Sequence, residues 1–501
     1  MKSRELMISV DDFETRAAVL EDRELVEIYL ERRETPSIVG NVYLGRVKDI
    51  LPGMQAAFVD IGIERNAFLY VEEIVYPREN EDEPMPPIQH LLKPGQDILV
   101  QIVKEPMDSK GARVTTQITL PGRYLVLLPY SNFLGVSRRL PEDERHRLKE
   151  ICEQIRPRNK GLIARTAAEG AEVEELREDV KRLLLYWRKI ERKVKSSAPV
   201  KLIYQEPQLA LRIVRDLFSH DFKRLLIDNK EDHGQIIDFL ESTDPELKRK
   251  VDLYTDGLPL FDKYNINQDI ENAMKRKVWL RSGGYISIDH TEALTAIDVN
   301  TGKYIGKTNL ETTIFKTNLE AAEEIVRQLR LRDIGGIIVI DFIDMQDLEH
   351  REELFNTLNT ALVTDRTKTR VIEISKLGLV EMTRKNVSQG LLDFQAESCP
   401  RCHGLGVVLS ETTLGIQVYR QTKKLAATHS AESFIFKVNS HGKRFLEREG
   451  KLAGDVLELG WGKRAYLVFD ETVAPGKPEM VEEGSGEQME KLFKNPTQSH
   501  S

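Results

Sequence analysis

Ala293-Leu-Thr-Ala-Ile-Asp-Val-Asn300 and Gly336-Ile-Ile-Val-Ile-Asp341 decide the reading of this chain. Each is a short apolar run, bounded by Gly or polar residues, that ends in a carboxylate. Runs of roughly four to eight such residues fit buried strands, because helical apolar runs are longer. Between them the sequence predicts a helix. Thr308 and Glu311 have the spacing of a Thr-x-x-Glu capping box, and Phe315, Leu319, Ala322, Val326 and Leu329 follow at spacings of 4, 3, 4 and 3. That stripe can pack on a sheet.

A strand-helix-strand unit sets its strands parallel and gathers ligands beyond their carboxyl ends. Asp298 and Asp341 fall there, 43 residues apart in sequence (341 − 298) but about 5 Å apart if the strands are neighbours. Asn300, two residues from Asp298, shares its face. Two carboxylates beside a carboxamide make a hard-oxygen site suited to Mg²⁺, and the matching chemistry is metal-assisted phosphoryl transfer or hydrolysis. Strand-end aspartates also serve simply as caps of turns and helices, and the pattern alone does not choose between the two roles. Gly302-Lys-Tyr-Ile-Gly-Lys-Thr308 follows a strand as a phosphate-binding loop would. It is one residue short of G-x-x-x-x-G-K-[ST], which argues against a nucleotide triphosphatase.

Longer runs carry a resemblance. Ile288 to Asn300, Thr317-Asn-Leu-Glu-Ala-Ala322, Arg327-Gln-Leu-Arg-Leu-Arg-Asp333, Ile338-Val-Ile-Asp-Phe-Ile-Asp-Met345, Gly378-Leu-Val-Glu-Met-Thr-Arg-Lys385 and Cys399-Pro-Arg-Cys402 are similar to the catalytic core of the ribonuclease E/G family. The resemblance implies that Asp298 and Asp341 bind Mg²⁺ and that Asn300 positions the site. It further implies a multidomain α/β (α+β) architecture. In it, residues 1–36 and 211–275 form an RNase H-like subdomain interrupted by an S1-type OB barrel at 37–119 and a 5′-sensor module at 120–210. A DNase I-like catalytic subdomain at 276–396 and a zinc link at 397–412 follow; beyond them the residues themselves suggest a small mixed domain at 413–472 and, by their Pro, Gly, Glu and Ser content, a flexible tail at 473–501.

Composition sets outer limits. The 501 residues, 40% hydrophobic and 31% charged, suffice for several cores. A net charge of −8 gives no general polyanion-binding signal, so any nucleic-acid surface must be local. Met1-Lys-Ser-Arg-Glu-Leu6 has no apolar signal segment, no run approaches the roughly 20 apolar residues of a membrane span, and three cysteines make no disulfide framework. A reduced cytoplasm is the expected compartment.

Glu5-Leu-Met-Ile-Ser-Val10 and the alternation after it predict two strands that pair with something later. From Gly40, short alternating stretches at Asn41–Val47, Ala56–Asp60, Ala67–Tyr70, Asp97–Val103 and Ala112–Ile118 predict a small closed barrel. Tyr43, Phe58, Phe68 and Tyr70 are either its core or, as on OB-type barrels, platforms for bases beside a basic track. The resemblance implies that Phe58, Phe68 and Lys110 line an RNA channel. The acidic, Pro-rich excursion from Tyr76 to His90 is expected to be a solvated loop.

Gly135-Val-Ser-Arg-Arg139 and Gly161-Leu-Ile-Ala-Arg-Thr-Ala-Ala168 place cations and hydroxyls at apparent strand ends, a pattern that suits phosphate. The resemblance makes Arg165 and Thr166 the sensor of a 5′-monophosphate RNA end. The basic run around Leu183, Trp187, Ile190 and Val194 is read as a solvated helix face. Cys399-Pro-Arg-Cys402-His-Gly-Leu-Gly406 resembles half a zinc knuckle, with a redox dithiol as the alternative. The resemblance implies a structural Zn²⁺ shared between protomers through Cys399 and Cys402, hence a homodimer or higher oligomer. The short tail, in place of the long disordered scaffold of some members, is expected to mark the shorter branch of the family.

The reading is a cytoplasmic Mg²⁺-dependent endoribonuclease that cuts single-stranded RNA, in ribosomal precursor processing and RNA decay, favours 5′-monophosphate ends and leaves 5′-phosphate and 3′-hydroxyl products. The rival is an RNA-binding or ribosome-associated protein without nuclease activity. It would need Phe58 and Lys110 but not the aspartates.

Overall fold

The computed structural model describes residues 3–76, 85–106, 110–302, 310–375, 377–386, 390–402 and 404–495. Two compact units are formed, Met1–Gln395 and Ala396–Ser501. Thr308 of the expected capping box, all but the first residue of the Gly302–Thr308 loop, and His403 lie outside the described residues.

In the first unit, Arg4–Val10 pairs in parallel with Phe222–Ile227 and antiparallel with Glu14–Glu21. The sheet runs Val251–Leu253, Phe222–Ile227, Arg4–Val10, Glu14–Glu21, Glu24–Arg32. Three strands, not two, therefore come from the first segment. The missed turn is Asp22-Arg23, both at positive φ (50° and 70°), a hairpin backbone usually signalled by Asn or Gly. The Ser3 amide donates to Asp22 Oδ1 at 2.9 Å. Alternation buries Leu6 and Ile8 on one face and Met7 on the other, against different groups of residues, so the sheet is covered on both sides.

Val42–Leu51, Ala56–Asp60, Ala67–Tyr70, Arg113–Thr115 and Asp97–Lys104 form the expected five-stranded barrel, closed by pairing of the first with the last. Ala57, Val59, Ala67, Leu69, Val100 and Val114 fill it. Lys201–Tyr204, some 85 residues beyond the barrel sequence (201 − 115 = 86), adds a strand to Val42–Leu51. A second sheet, of Leu134–Val136, Gly161–Ala164, Leu125–Leu128 and Leu120–Pro121, packs with the helices Glu142–Ile155 and Val173–Ser196. Trp187, Leu183 and Ile190 are the buried stripe of the long helix.

The last sheet of this unit has the order Lys277–Trp279, Tyr285–His290, Leu294–Asn300, Gly336–Asp341, Val380–Arg384, Thr369–Ile374. Leu294–Asn300 and Gly336–Asp341 are parallel neighbours, joined through the helix Leu310–Leu331. Ile286, Ile297, Val299, Ile338 and Ile340 form one core with Ala322, Val326 and Leu329 of that helix and Leu358 of Leu348–Leu362. Arg330, buried on the same helix, bonds Glu21 and Glu27 at 2.8 Å each, which fastens this layer to the first sheet.

The second unit has a sheet in the order Leu452–Ala453, Val456–Gly460, Lys463–Phe469, Ser433–Val438, Glu479–Gly484. A loose tail was expected beyond Val473. Instead Glu479–Gly484 pairs antiparallel with Ser433–Val438, and Gly486–Lys494 is a helix that fully buries Met489. The apolar residues of this segment are too sparse to stand out in sequence, but Phe493 meets Tyr466 at a tilt, with centroids 5.3 Å apart, beside Met489, while Met480 packs on the unit's larger core. Among the described residues, no helix is long and apolar enough to cross a membrane.

Candidate active site

Strand register builds the site. Asp298 and Asp341 are direct partners across the parallel pair, and Ser287 and Asp298 across the antiparallel pair. Partnered residues point to one face, so both carboxylates stand on the side opposite the helices, and both are exposed. Asn300 lies on that face too, and its Nδ2 donates to Asp298 Oδ2. Three oxygen-bearing side chains are thus grouped on an open surface that leaves room for water, which fits the donor set and hydration of Mg²⁺. Asp344 is exposed beyond the end of the strand.

Sequence reasoning missed what holds the end of this strand. Asn318, fully buried on the long helix, donates through Nδ2 to the Ile343 carbonyl at 2.8 Å and accepts from the Ile343 amide at 3.1 Å. A polar residue within an apolar helix stripe was the available signal. Arg384, also buried, forks onto Asp365 (2.8 Å) and bonds Asp333 (2.7 Å) and the Ile334 carbonyl (2.9 Å), behind the start of Gly336–Asp341. Burial works against ionisation of Asp365, but the Arg384 hydrogen bonds and charge, with the Thr367 amide and Thr369 hydroxyl, hold its carboxyl below the ordinary value.

A second oxygen- and nitrogen-donor group, Glu311, Asp347 and His350, has ligand atoms within 4.8 Å of one another. Its members already serve other contacts: Asp347 caps the Leu348–Leu362 helix, its amide bonds Glu311 Oε1 at 3.1 Å, and His350 stacks on Phe315.

On the barrel, the four aromatics divide. Tyr43 is core, whereas Phe58, Phe68 and Tyr70 lie outside it at least partly exposed. Phe58 and Phe68 are cross-strand partners with centroids 5.5 Å apart, Phe68 and Tyr70 are at 4.6 Å, and the Arg113 guanidinium lies 4.9 Å over Tyr70. Lys110 is exposed.

Arg165 and Thr166 follow the strand Gly161–Ala164. Arg165 Nη1 donates to the Gly122 carbonyl at 2.6 Å and Nη2 to Asp216 at 2.7 Å, and the Thr166 and Ser137 hydroxyls are 2.8 Å apart. Burial raises the Asp216 carboxyl, but the Arg215 fork and then Arg165 bring it below its ordinary value. The Arg139 amide donates to Ser137 Oγ at 3.4 Å, but its guanidinium donates to the Asp365 carbonyl and so ties the module to the last sheet.

In the second unit, Cys399 is exposed and Cys402 half-buried, and neither is in a disulfide. Backbone N–H groups of Cys402 and Arg401 lower the Cys399 thiol below its ordinary value, as is common in Cys-x-x-Cys motifs.

An aromatic and cationic barrel face together with an open pair of strand-end carboxylates marks a protein that handles a nucleic-acid strand. The sequence pattern described as "Ribonuclease E/G family" matches residues 119–387. The chain is 45% identical to Ribonuclease G of Haemophilus influenzae over 443 residues, 87% of this chain and 90% of that protein. It is 42% identical to Ribonuclease G of Escherichia coli (strain K12) over 473 residues, 93% and 97% of the two chains. With Ribonuclease E of Buchnera aphidicola subsp. Schizaphis graminum the identity is 38% over 427 residues, 83% of this chain but 44% of that protein. The chain belongs to the Ribonuclease E/G family.

Proposed function

We propose that the chain, an endoribonuclease of this family, hydrolyses phosphodiester bonds of single-stranded RNA at the Asp298–Asp341 pair, in ribosomal precursor processing and RNA decay. The observation that carries this reading is the register that sets the two carboxylates side by side on an open sheet face. Asp298 and Asp341 would hold Mg²⁺, and Asn300 fixes the Asp298 carboxylate through its amide. When bound, the ion supplies positive charge to the scissile phosphate and makes water more acidic. Water attacks phosphorus as the bond to the 3′-oxygen breaks; the 3′-oxygen takes up a proton, and a 3′-hydroxyl and a 5′-phosphate result.

Phe58 and Phe68 would stack on bases while Lys110 follows the backbone. Arg165 and Thr166 read a 5′-monophosphate. Since Asp216 already holds Arg165, the phosphate shares that guanidinium with a carboxylate. Cys399 and Cys402 would bind a structural Zn²⁺ shared between two protomers, making the protein a homodimer or larger. Unpaired thiols agree with the cytoplasm as its compartment.

The test is cleavage of a short A/U-rich RNA, with a 5′-monophosphate or a 5′-hydroxyl, by the native protein and by Asp298→Asn in Mg²⁺. The native protein should cut, faster with the monophosphate, and the variant should bind without cutting. Equal cutting by the variant would overturn the metal assignment.

A further inference from the structure

The six-stranded sheet carries a second feature on its catalytic face. Trp279 pairs with Tyr285, and Tyr285 with Asn300; in the adjacent row, Lys277 pairs with Ser287, Ser287 with Asp298 and Asp298 with Asp341. Partnered residues share a face, and so do residues two apart on a strand. Trp279, Tyr285 and Lys277 therefore stand on the same side as the aspartates. Trp279 is 62% exposed. Its ring meets Tyr285 edge-on, with centroids 5.3 Å apart at 63°, and Lys277 Nζ lies 3.6 Å from the Tyr285 ring and 5.3 Å from the Trp279 ring.

We propose that Trp279, propped by Tyr285, is a stacking platform for an unpaired base of the substrate beside the scissile phosphate, with Lys277 contacting the neighbouring backbone phosphate. This rests on the endoribonuclease reading above. Adjacent strands lie about 4.8 Å apart, so the platform is two strands, about 10 Å, from the strand of Asn300 and Asp298, within reach of a flanking nucleotide of the same RNA strand. An indole face takes any base, and a cation next to it suits the phosphate that follows. The barrel aromatics belong to another sheet, so this contact acts on different nucleotides. Trp279 is a positioning residue here: it seats the strand and takes no part in bond breaking.

The experiment compares native protein, Trp279→Ala and Trp279→Phe on single-stranded RNA carrying one abasic nucleotide at each of the positions flanking the cut in turn. With intact RNA, Trp279→Ala should lose roughly tenfold or more in kcat/KM, and Trp279→Phe should keep most activity. At one abasic position the native protein should show the same loss, and there Trp279→Ala should lose nothing further. The thermal midpoint should stay native, since the ring is exposed. A Trp279→Ala enzyme as fast as native, or one whose loss is equal on every abasic substrate, overturns the platform while leaving the endoribonuclease reading intact. If the native protein cuts no RNA in Mg²⁺, the endoribonuclease reading falls and the platform falls with it.

Discussion

Asn318→Leu tests how the strand that carries Asp341, part of the proposed site, is held. Leu is close to Asn in size but has no amide, so it removes the 2.8 Å bond to the Ile343 carbonyl and the 3.1 Å bond from its amide. An unsatisfied buried backbone group costs about 1–3 kcal/mol. Because Ile343 is only half-buried, water can reach part of it and the lower end applies, about 1 kcal/mol per group and ~2 kcal/mol in all. Urea unfolding reads that loss as a lower midpoint with an unchanged slope. Activity should suffer more than stability. Ile343 lies two residues beyond Asp341, and a displacement of about 1 Å at a reacting centre can cost on the order of 100-fold in rate. Single-turnover cleavage should therefore slow while RNA affinity holds. Native stability together with native rate would refute the clamp, and lowered stability with native rate would refute its role in placing Asp341.

Three further outcomes are expected. Arg330→Met removes the guanidinium bonded to both Glu21 and Glu27 while Arg4 stays 3.8 Å from Glu21, and should cost about 3 kcal/mol in urea unfolding, the low end for a broken buried pair; a loss under ~1 kcal/mol would show that the neighbouring cations and water compensate the carboxylates. Asp216 and Asp365 have folded pKa values below their ordinary 3.8, so their contribution is present above about pH 4 and disappears as pH falls through the lower folded values. Unfolding midpoints measured downward from neutral pH should drop below about pH 4, and less so in Asp365→Asn, with an equal drop in that variant counting against the Arg384 pair. Chelation of zinc, or Cys399→Ser with Cys402→Ser, should lower the sedimentation mass toward a single chain, and an unchanged mass would rule out the shared thiolate link.

The strands of the candidate site were legible because their signal is local. An apolar run that stops near an Asp reports both burial and the place where burial ends, and the helix between the two runs implies that their strands are parallel; the register that sets Asp298 beside Asp341 is seen only in the structure. The barrel strands were readable for the same reason. What the sequence concealed depends on partners far along the chain. Lys201–Tyr204 is an ordinary strand whose attachment to Val42–Leu51 nothing nearby encodes. Glu479–Gly484 is mostly exposed and acidic and is a strand because Ser433–Val438 offers it an edge. Arg165 reads as a phosphate ligand from its neighbours, but its bond to Asp216 spans 51 residues. Trp279 carries no local signal of a role, and only the register places it in the row of Asn300.

The parallel pairing of Arg4–Val10 with Phe222–Ile227 also sets a timetable. The Val10 amide bonds Asp228, 218 residues later, and at roughly 5–20 residues per second of synthesis that partner emerges about 10–40 s afterwards. During that interval Leu6, Met7 and Ile8, fully buried in the finished protein, belong to an open strand edge of the kind that recruits other chains. The barrel, whose strands all lie between Val42 and Thr115, can close long before. Translation therefore yields a finished insert carried by an unfinished host, and the pace of the ribosome between these two strands becomes a determinant of how much chain survives to fold.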